Sequence, residues 1–366
     1  MSKTESLTLT SVQVERAIHV AIKAKRPIFL WGAPGIGKSD VVAQIAADLN
    51  DGDQSALIDL RMSQLDQTDL RGIPVPNNDT KTMEWYQLGE LPTPEFAKQY
   101  KTVVLFLDEM NSAAPSVQAV GYQLILNRRI GTYKLPDNVA IIAAGNRAGD
   151  KGVTYSMPKP LANRFVHIEM RPDFASWQDW AVNNGVHPDV VGYLSSQKQD
   201  LYEFDPKSTG HAFATPRSWV FVSDLIKSQI DSETMYSLVT GSVGEGLAIK
   251  FQAHRKHAAK LPNPSDILAG KVKELEVKEL SAMYALTTSM CYELKDVIDN
   301  KTKNDVEFHE MVDNFLTFMM ENFETELIVM GGRIAVTTYK LPIMPQKSKV
   351  FKNFLVKYQK YILAAK

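Results

Sequence analysis

One cysteine stands among 366 residues, so no disulfide closes within the chain, and Cys291, set in an apolar stretch of helical spacing, reads as a buried, inert thiol suited to a reducing compartment. An excess of either charge is missing too. Forty-one Lys and Arg stand against 42 Asp and Glu, and a net charge of -1 supplies no global field to draw the chain onto nucleic acid or an anionic membrane, leaving only local patches for such partners. No apolar run approaches the ~20 residues of a bilayer span. The longest, near residues 103–107 and 139–144, are of strand length. Residues 1–6 lack the apolar core of a secretory signal, and internal repeats and low-complexity segments are absent. These absences lead to the expectation of a cytosolic chain with no membrane contact. A hydrophobic share of 44% with 23% charged residues fills ordinary cores, and the length suits two or three domains.

What is present centres on Gly32-Ala33-Pro34-Gly35-Ile36-Gly37-Lys38-Ser39, which fits G-x-x-x-x-G-K-[ST] in full and follows the strand-like run Ile28-Phe29-Leu30-Trp31. In such a loop the glycines let consecutive N–H groups turn inward around phosphate, the lysine reaches the β- and γ-phosphates, and the serine hydroxyl is offered to Mg2+. A helix predicted over residues 40–49 directs its positive end at the same place. The second signature is the apolar strand predicted over residues 102–107, which runs into Asp108-Glu109. Buried strand tips do not tolerate unpaired carboxylates. Beside a phosphate loop, Asp108 would hold Mg2+, usually through water, and Glu109 would take the proton of an attacking water. A third strand, residues 139–144, ends in Gly145-Asn146-Arg147. An amide there can orient the water or contact the γ-phosphate, or can simply cap a turn.

Around these motifs the spacing predicts a helix over about residues 11–25 with Ser11 as its N-cap, a turn at 50–53, and a strand at 56–60, so that strand-helix-strand opens a parallel α/β sheet. Residues 61–101, rich in proline, read as an insertion in which 73–76 pairs with 82–86 across Asn77-Asn78-Asp79, carrying Trp85 and Tyr86 either as a contact surface or packed onto the domain beneath. Residues 127–136 read as a second hairpin, and 161–170 as a helix end entering the last strand. From Arg171 the pattern turns helical. A loop through 205–210 leads to Pro216, which puts Arg217 in a first helical turn, ahead of an apolar face of Trp219, Val220, Val222, Leu225 and Ile226. Further helices are expected at 244–255 and 281–298. The stripe from Phe308 to Met320 reads first as a core face and second as a docking groove, and His254 and His257, three apart, have metal-ligand spacing without a completing set. Lys349, Lys352, Lys357 and Lys360 oppose Phe351, Phe354, Leu355, Tyr358 and Ile362 in a basic amphipathic helix, either a solvated face or a surface for nucleic acid or an acidic partner.

Over residues 7–219 the chain resembles the AAA+ ATPases and, within them, the MoxR-like group of the helix-2-insert clade. The resemblance is carried by residues 32–39, Leu107-Asp108-Glu109-Met110-Asn111, Ala144-Gly145-Asn146, Leu161-Ala162-Asn163-Arg164-Phe165 and Thr215-Pro216-Arg217-Ser218-Trp219, in the family's order. It implies a P-loop NTPase parallel sheet flanked by helices over residues 1–172, with inserts near 61–101 and 127–137. An all-helical lid over 173–300 and a helical C-terminal extension over 301–366 would follow. It also implies ATP with Mg2+ and assembly into a homo-oligomeric, hexameric ring that remodels or activates a partner protein, one with a von Willebrand factor A domain. Asn146 becomes the first sensor, Arg164 the arginine finger given to a neighbouring subunit's nucleotide, and Arg217 the second sensor. Ser112 departs from the Arg that many relatives carry, so charge pairing at the subunit contact is rearranged, and Arg128, Arg129 or Arg147 stays open as the trans-acting group. Two other functions stay open: an ATP-driven nucleic-acid translocase or motor subunit, against which the near-neutral charge speaks mildly, and a nucleotide-gated assembly switch, against which intact Glu109, Asn146 and Arg164 speak.

Overall fold

The computed structural model describes residues 8–49, 55–86, 89–147, 149–150, 154–205 and 210–363; the turn expected at 50–53 and most of the loop at 205–210 lie outside them. The chain divides into two compact units, Met1–Asp173 and Phe174–Lys366.

The first unit opens with β1 (Thr8–Leu9) and α1 (Ser11–Lys23), followed by β2 (Ile28–Trp31), α2 (Lys38–Asp48) and β3 (Ser55–Arg61). The insertion carries α3 (Gln67–Arg71), β4 (Ile73–Asn77), β5 (Thr82–Tyr86) and α4 (Pro94–Ala97). Then come β6 (Thr102–Asp108), α5 (Pro115–Asn127), the short pair β7 (Arg129–Ile130) and β8 (Tyr133–Lys134), β9 (Val139–Gly145), α6 (Lys159–Ala162) and β10 (Val166–Met170). Six strands form one parallel sheet in the order β1-β10-β2-β9-β6-β3, and the other four make two antiparallel hairpins. Helices cover such a sheet on both faces, so its central strands read as unbroken apolar runs. Val103 to Leu107 of β6 are all at most 1% exposed.

The order places β2, β9 and β6 side by side, with Trp31 in register with Gly145, and Leu107 with Ala143. The phosphate loop, Asn146 and the acidic pair therefore leave from neighbouring carboxyl ends, where open α/β sheets bind ligands. This is the parallel sheet, flanked by helices, of a P-loop α/β fold, with a helical part following.

Two details differ from the sequence reading. The N-cap of α1 is Thr10, not Ser11: Thr10 Oγ1 accepts from Gln13 N (3.4 Å) while Gln13 Oε1 accepts from Thr10 N (3.0 Å). Both residue types cap, and the glutamine three positions on selects the threonine. The periodicity also gave no sign of β1, which pairs in parallel with β10 through two residues, too few to show a period.

The proline-rich insertion forms the expected hairpin, its turn held by Asn77 Oδ1 accepting from Asp79 N (3.0 Å) and Thr80 N (3.2 Å). Trp85 is half-buried with the Arg71 guanidinium 4.3 Å over its ring, and Tyr86 is exposed.

The second unit is helical. Its core joins Tyr193, Trp219, Phe251 and Leu294 with Phe308, Phe315 and Phe354 in one apolar cluster, so helices on both sides of residue 300 share a core. Trp219 and Val222 of the helix Pro216–Leu225 are fully buried, and the tail stripe buries Phe308, Val312, Phe315, Leu316 and Met319. Cys291 is fully buried, and burial pushes its thiol pKa up. In the helix Lys349–Leu363, Phe351, Phe354 and Tyr358 face inward while its lysines are exposed; the side chain of Ile362 lies outside the described residues. Among the described residues no helix is long and apolar enough to cross a membrane.

The helices Pro188–Ser196 and Leu280–Asp299 approach so closely that a Cβ on Gly192 would fall 2.5 Å from the main-chain nitrogen of Ala285. Gly192→Ala should destabilise this unit by about 1–3 kcal/mol, because the atom it meets is backbone and cannot rotate away. Denaturant unfolding followed by far-UV circular dichroism measures it, and an unchanged midpoint would show that the helices separate freely.

Candidate functional site at the strand tips

Gly37, the N-cap of α2, has φ 89°, a left-handed conformation that favours glycine and that lets the loop turn directly into the helix. The loop is stitched to the next strand by Gly32 N donating to Gly145 O (3.3 Å). Lys38 Nζ donates to Gly32 O (2.8 Å), Ala33 O (3.0 Å) and Asn146 Oδ1 (3.0 Å). An ammonium only donates, so the atom of Asn146 that faces it is the amide oxygen, and the NH2 is left to donate elsewhere.

Asp108, 6% exposed at the end of β6, has both carboxylate oxygens engaged. Oδ2 accepts from Ser39 Oγ (2.8 Å) and Oδ1 from Glu109 N (2.8 Å). Glu109 has φ 53°, left-handed for a residue with a side chain, and this turn sends its carboxylate away from Asp108 to accept from Ser63 Oγ. One strand over, Asp59 has its pKa raised, first by partial burial and then by the charge of Asp108, with Arg61 opposing.

The structure thus brings together residues 32–39, Asp108, Glu109 and Asn146. Two neighbours were not assigned a role from sequence: Ser63, just past β3, and Asn111, whose side chain bonds both main-chain groups of Asn146. Asn111 was visible only as a letter of the motif, and Ser63 carried no signal.

The arginines fall into two kinds. Arg128 donates to Pro136 O (2.7 Å) and Val139 O (2.9 Å), Arg129 to Gly131 O (2.8 Å), and Arg147 pairs with Asp150 (3.1 Å) and Glu169 (3.3 Å). Arg164, exposed between α6 and β10, makes no side-chain hydrogen bond or ion pair among the described residues. Arg217 belongs to the second unit, where it is exposed in the first turn of the helix Pro216–Leu225.

The His254 and His257 pair does not converge. His254 is buried with Nδ1 at 2.8 Å from Ser281 Oγ, its pKa lowered chiefly by burial, while His257 is exposed. Among the described residues no group of three or more His, Cys, Asp or Glu gathers as a metal cage would require.

Residues 27–165, which span these motifs from the start of β2 to Phe165, match the family AAA domain (dynein-related subfamily). The chain is 26% identical over 195 residues to midasin of Giardia intestinalis, which covers 50% of this chain but 4% of that protein. Among solved structures it is similar to NtrX of Brucella abortus in complex with ATP (14% identity, 80% of this chain and 66% of that one, TM-score 0.39). It is also similar to a RuvB mutant of Thermotoga maritima (16% identity, 71% and 73%, TM-score 0.35).

The crowding of Asp59 and Asp108 has a sign that can be checked. A carboxyl whose pKa is raised on folding contributes stability below its unfolded pKa and loses it as pH rises through the folded value, so at pH 7 the charged Asp59 opposes folding. Asp59→Asn should therefore raise the melting temperature of the metal-free protein at pH 7, the gain fading as pH falls through the carboxylate range. A lower melting temperature at pH 7 would show that Asp59 is held by attraction instead.

Proposed function

We propose that this protein is a MoxR-like AAA+ ATPase that hydrolyses ATP in a hexameric cytoplasmic ring to remodel or activate a partner protein, one carrying a von Willebrand factor A domain. The observation that carries the ATPase reading is the convergence of Lys38, the Ser39–Asp108 pair, Glu109 and Asn146 on three adjacent strand tips. The loop N–H groups and the N-terminus of α2 would cradle the phosphates, and Lys38 would turn from the loop carbonyls towards the β- and γ-phosphates. Ser39 and Asp108 fit Mg2+: both present hard oxygens, and they already meet at 2.8 Å. When bound, the ion neutralises charge on the β- and γ-oxygens. Glu109 would leave Ser63 and take the proton of the attacking water, while Asn146 would donate its NH2 to the γ-phosphate.

Arg164 is the best-supported finger, because its guanidinium has no partner among the described residues whereas those of Arg128, Arg129 and Arg147 are engaged. We assign Arg217 as the second sensor on the resemblance in motif order, and propose residues 173–300 as a lid with residues 301–366 as a helical extension.

Lys38→Ala should abolish nucleotide binding, and Glu109→Gln should bind ATP yet turn over at least ~100-fold more slowly, the scale for losing a positioned base. Unchanged affinity in the first variant, or surviving turnover in the second, would reject these roles. Assembly has its own test. Arg164→Ala and Glu109→Gln subunits, each nearly inactive, should recover partial activity when mixed, since some interfaces of a mixed ring then pair an intact base with an intact finger; sedimentation first establishes that they co-assemble. Arg164→Lys should not rescue, because a point charge lacks the planar fork. Co-assembled rings that show only the summed residual rates would remove Arg164 from the trans role.

A further inference from the structure

We infer that Asn111 is a positioning residue that sets the γ-phosphate-contacting amide of Asn146 by gripping that residue's main chain. The inference rests on the ATPase reading above and deepens it.

Asn111 lies in the 3-10 turn Met110–Ser112 directly after the acidic pair and is 4% exposed. Its Nδ2 donates to Asn146 O (2.7 Å), and its Oδ1 accepts from Asn146 N (3.2 Å). Holding the N–H and the C=O of one residue from a single planar amide fixes the peptide planes on both sides of it, and with them the direction of its Cα–Cβ bond. The Asn146 side chain is thereby aimed so that Oδ1 meets Lys38 and the NH2 faces away from that ammonium.

The neighbouring residue shows how tight the grip is. A Cβ on Gly145 would lie 2.2 Å from Asn111 Oδ1 and 3.0 Å from Phe29 Cζ, so glycine is required there for the clamp to close. The main chain of Asn111 is itself anchored, its carbonyl accepting from Tyr155 N (2.7 Å). Since Asn111 follows Glu109 by two residues in the chain, the clamp ties the tip of β6, with its base, to the tip of β9, with its phosphate sensor.

A buried asparagine that only satisfied the polar groups around it would affect stability alone. One that aims Asn146 also affects how the site tells a triphosphate from a diphosphate. The test uses the full chain and measures the equilibrium affinity for a non-hydrolysable ATP analogue and for ADP, each with Mg2+, by calorimetry, alongside steady-state ATP hydrolysis.

Wild type should prefer the triphosphate, and Asn146→Ala should lose about tenfold of that preference, the scale of one hydrogen bond to a charged oxygen. Asn111→Leu should lose the same preference with ADP affinity unchanged, and in steady-state hydrolysis kcat should fall while KM for ATP rises with the weakened triphosphate affinity. Asn111→Asp, which keeps the acceptor but faces the Asn146 carbonyl with a carboxylate oxygen, should do likewise and guards against failure of the leucine variant to fold. Gly145→Ala should reproduce the loss from the other side of the clamp. The double variant Asn111→Asp/Asn146→Ala should lose no more than Asn146→Ala alone, because Asn111 acts only through Asn146.

A folded Asn111→Asp that keeps the wild-type preference within about twofold, or a double variant about tenfold below Asn146→Ala, would overturn the inference. Failure of the wild type to bind either nucleotide would overturn the ATPase reading, and this inference with it, before any variant is compared.

Discussion

The first unit depends on how it satisfies one buried carboxylate. An unpartnered anion at the end of an apolar strand costs several kcal/mol, and Asp108 avoids that cost with the Ser39 hydroxyl on one oxygen and the Glu109 N–H on the other. Ser39 is in the first turn of α2, so the bond ties the phosphate-loop helix to β6, across a sheet in which β9 stands between β2 and β6. Directly after Asp108 the Glu109 backbone turns left-handed, a conformation that costs roughly 1–2 kcal/mol for a residue with a Cβ. Such strain persists where the surroundings over-determine it. Here the outcome is that two consecutive acids make separate contacts, Asp108 with the Ser39 hydroxyl and Glu109 with the Ser63 hydroxyl.

Crowding of negative charge follows from the same arrangement. Asp59 lies on β3, whose end pairs in register with Asp108 through Arg61, and the Asp108 charge helps raise its pKa. A divalent cation beside Asp108 would relieve that repulsion, so metal binding and the protonation of Asp59 oppose each other: each supplies positive charge to one acidic edge of the sheet.

Much of this was legible in the sequence, for identifiable reasons. The phosphate loop, the two acids and Asn146 are specified by residue type at fixed spacing, and the strands that carry them are apolar runs that only a covered parallel sheet accommodates. The hairpin at 73–86 was legible from its turn. The contacts of Ser63 and Asn111 were not, because they join residues 46 and 35 positions apart. Those contacts exist only once the strand order is fixed, which periodicity does not give. Thr10 was missed in favour of Ser11 although the deciding glutamine was in view, and β1 was too short to show a pattern. The boundary drawn near residue 300 had no motif to mark it, and residues on both sides of it contribute to one apolar cluster of the second unit.

Choosing among the arginines needs partner accounting that sequence does not hold. A guanidinium that serves a neighbouring subunit must reach it without stranding a buried charge in its own chain. Arg147 fails that condition. Its partner Asp150 has a side chain 6% exposed, and the bonds to Asp150 and Glu169 raise the Arg147 pKa, the sign of an ion held in place. Moving it would leave the buried Asp150 carboxylate without its cation. Arg128 fails for a different reason: its donors hold the carbonyls of Pro136 and Val139, which set where β9 begins, so its departure would loosen the strand that carries Asn146. Arg129 bonds only an exposed carbonyl two residues away and would lose little, but it shares its short hairpin with the engaged Arg128 end. Arg164 has nothing to give up among the described residues, and its backbone is fixed by its N–H donating to Leu161 O (2.8 Å), which leaves a held backbone and an uncommitted head, the combination that action in trans requires.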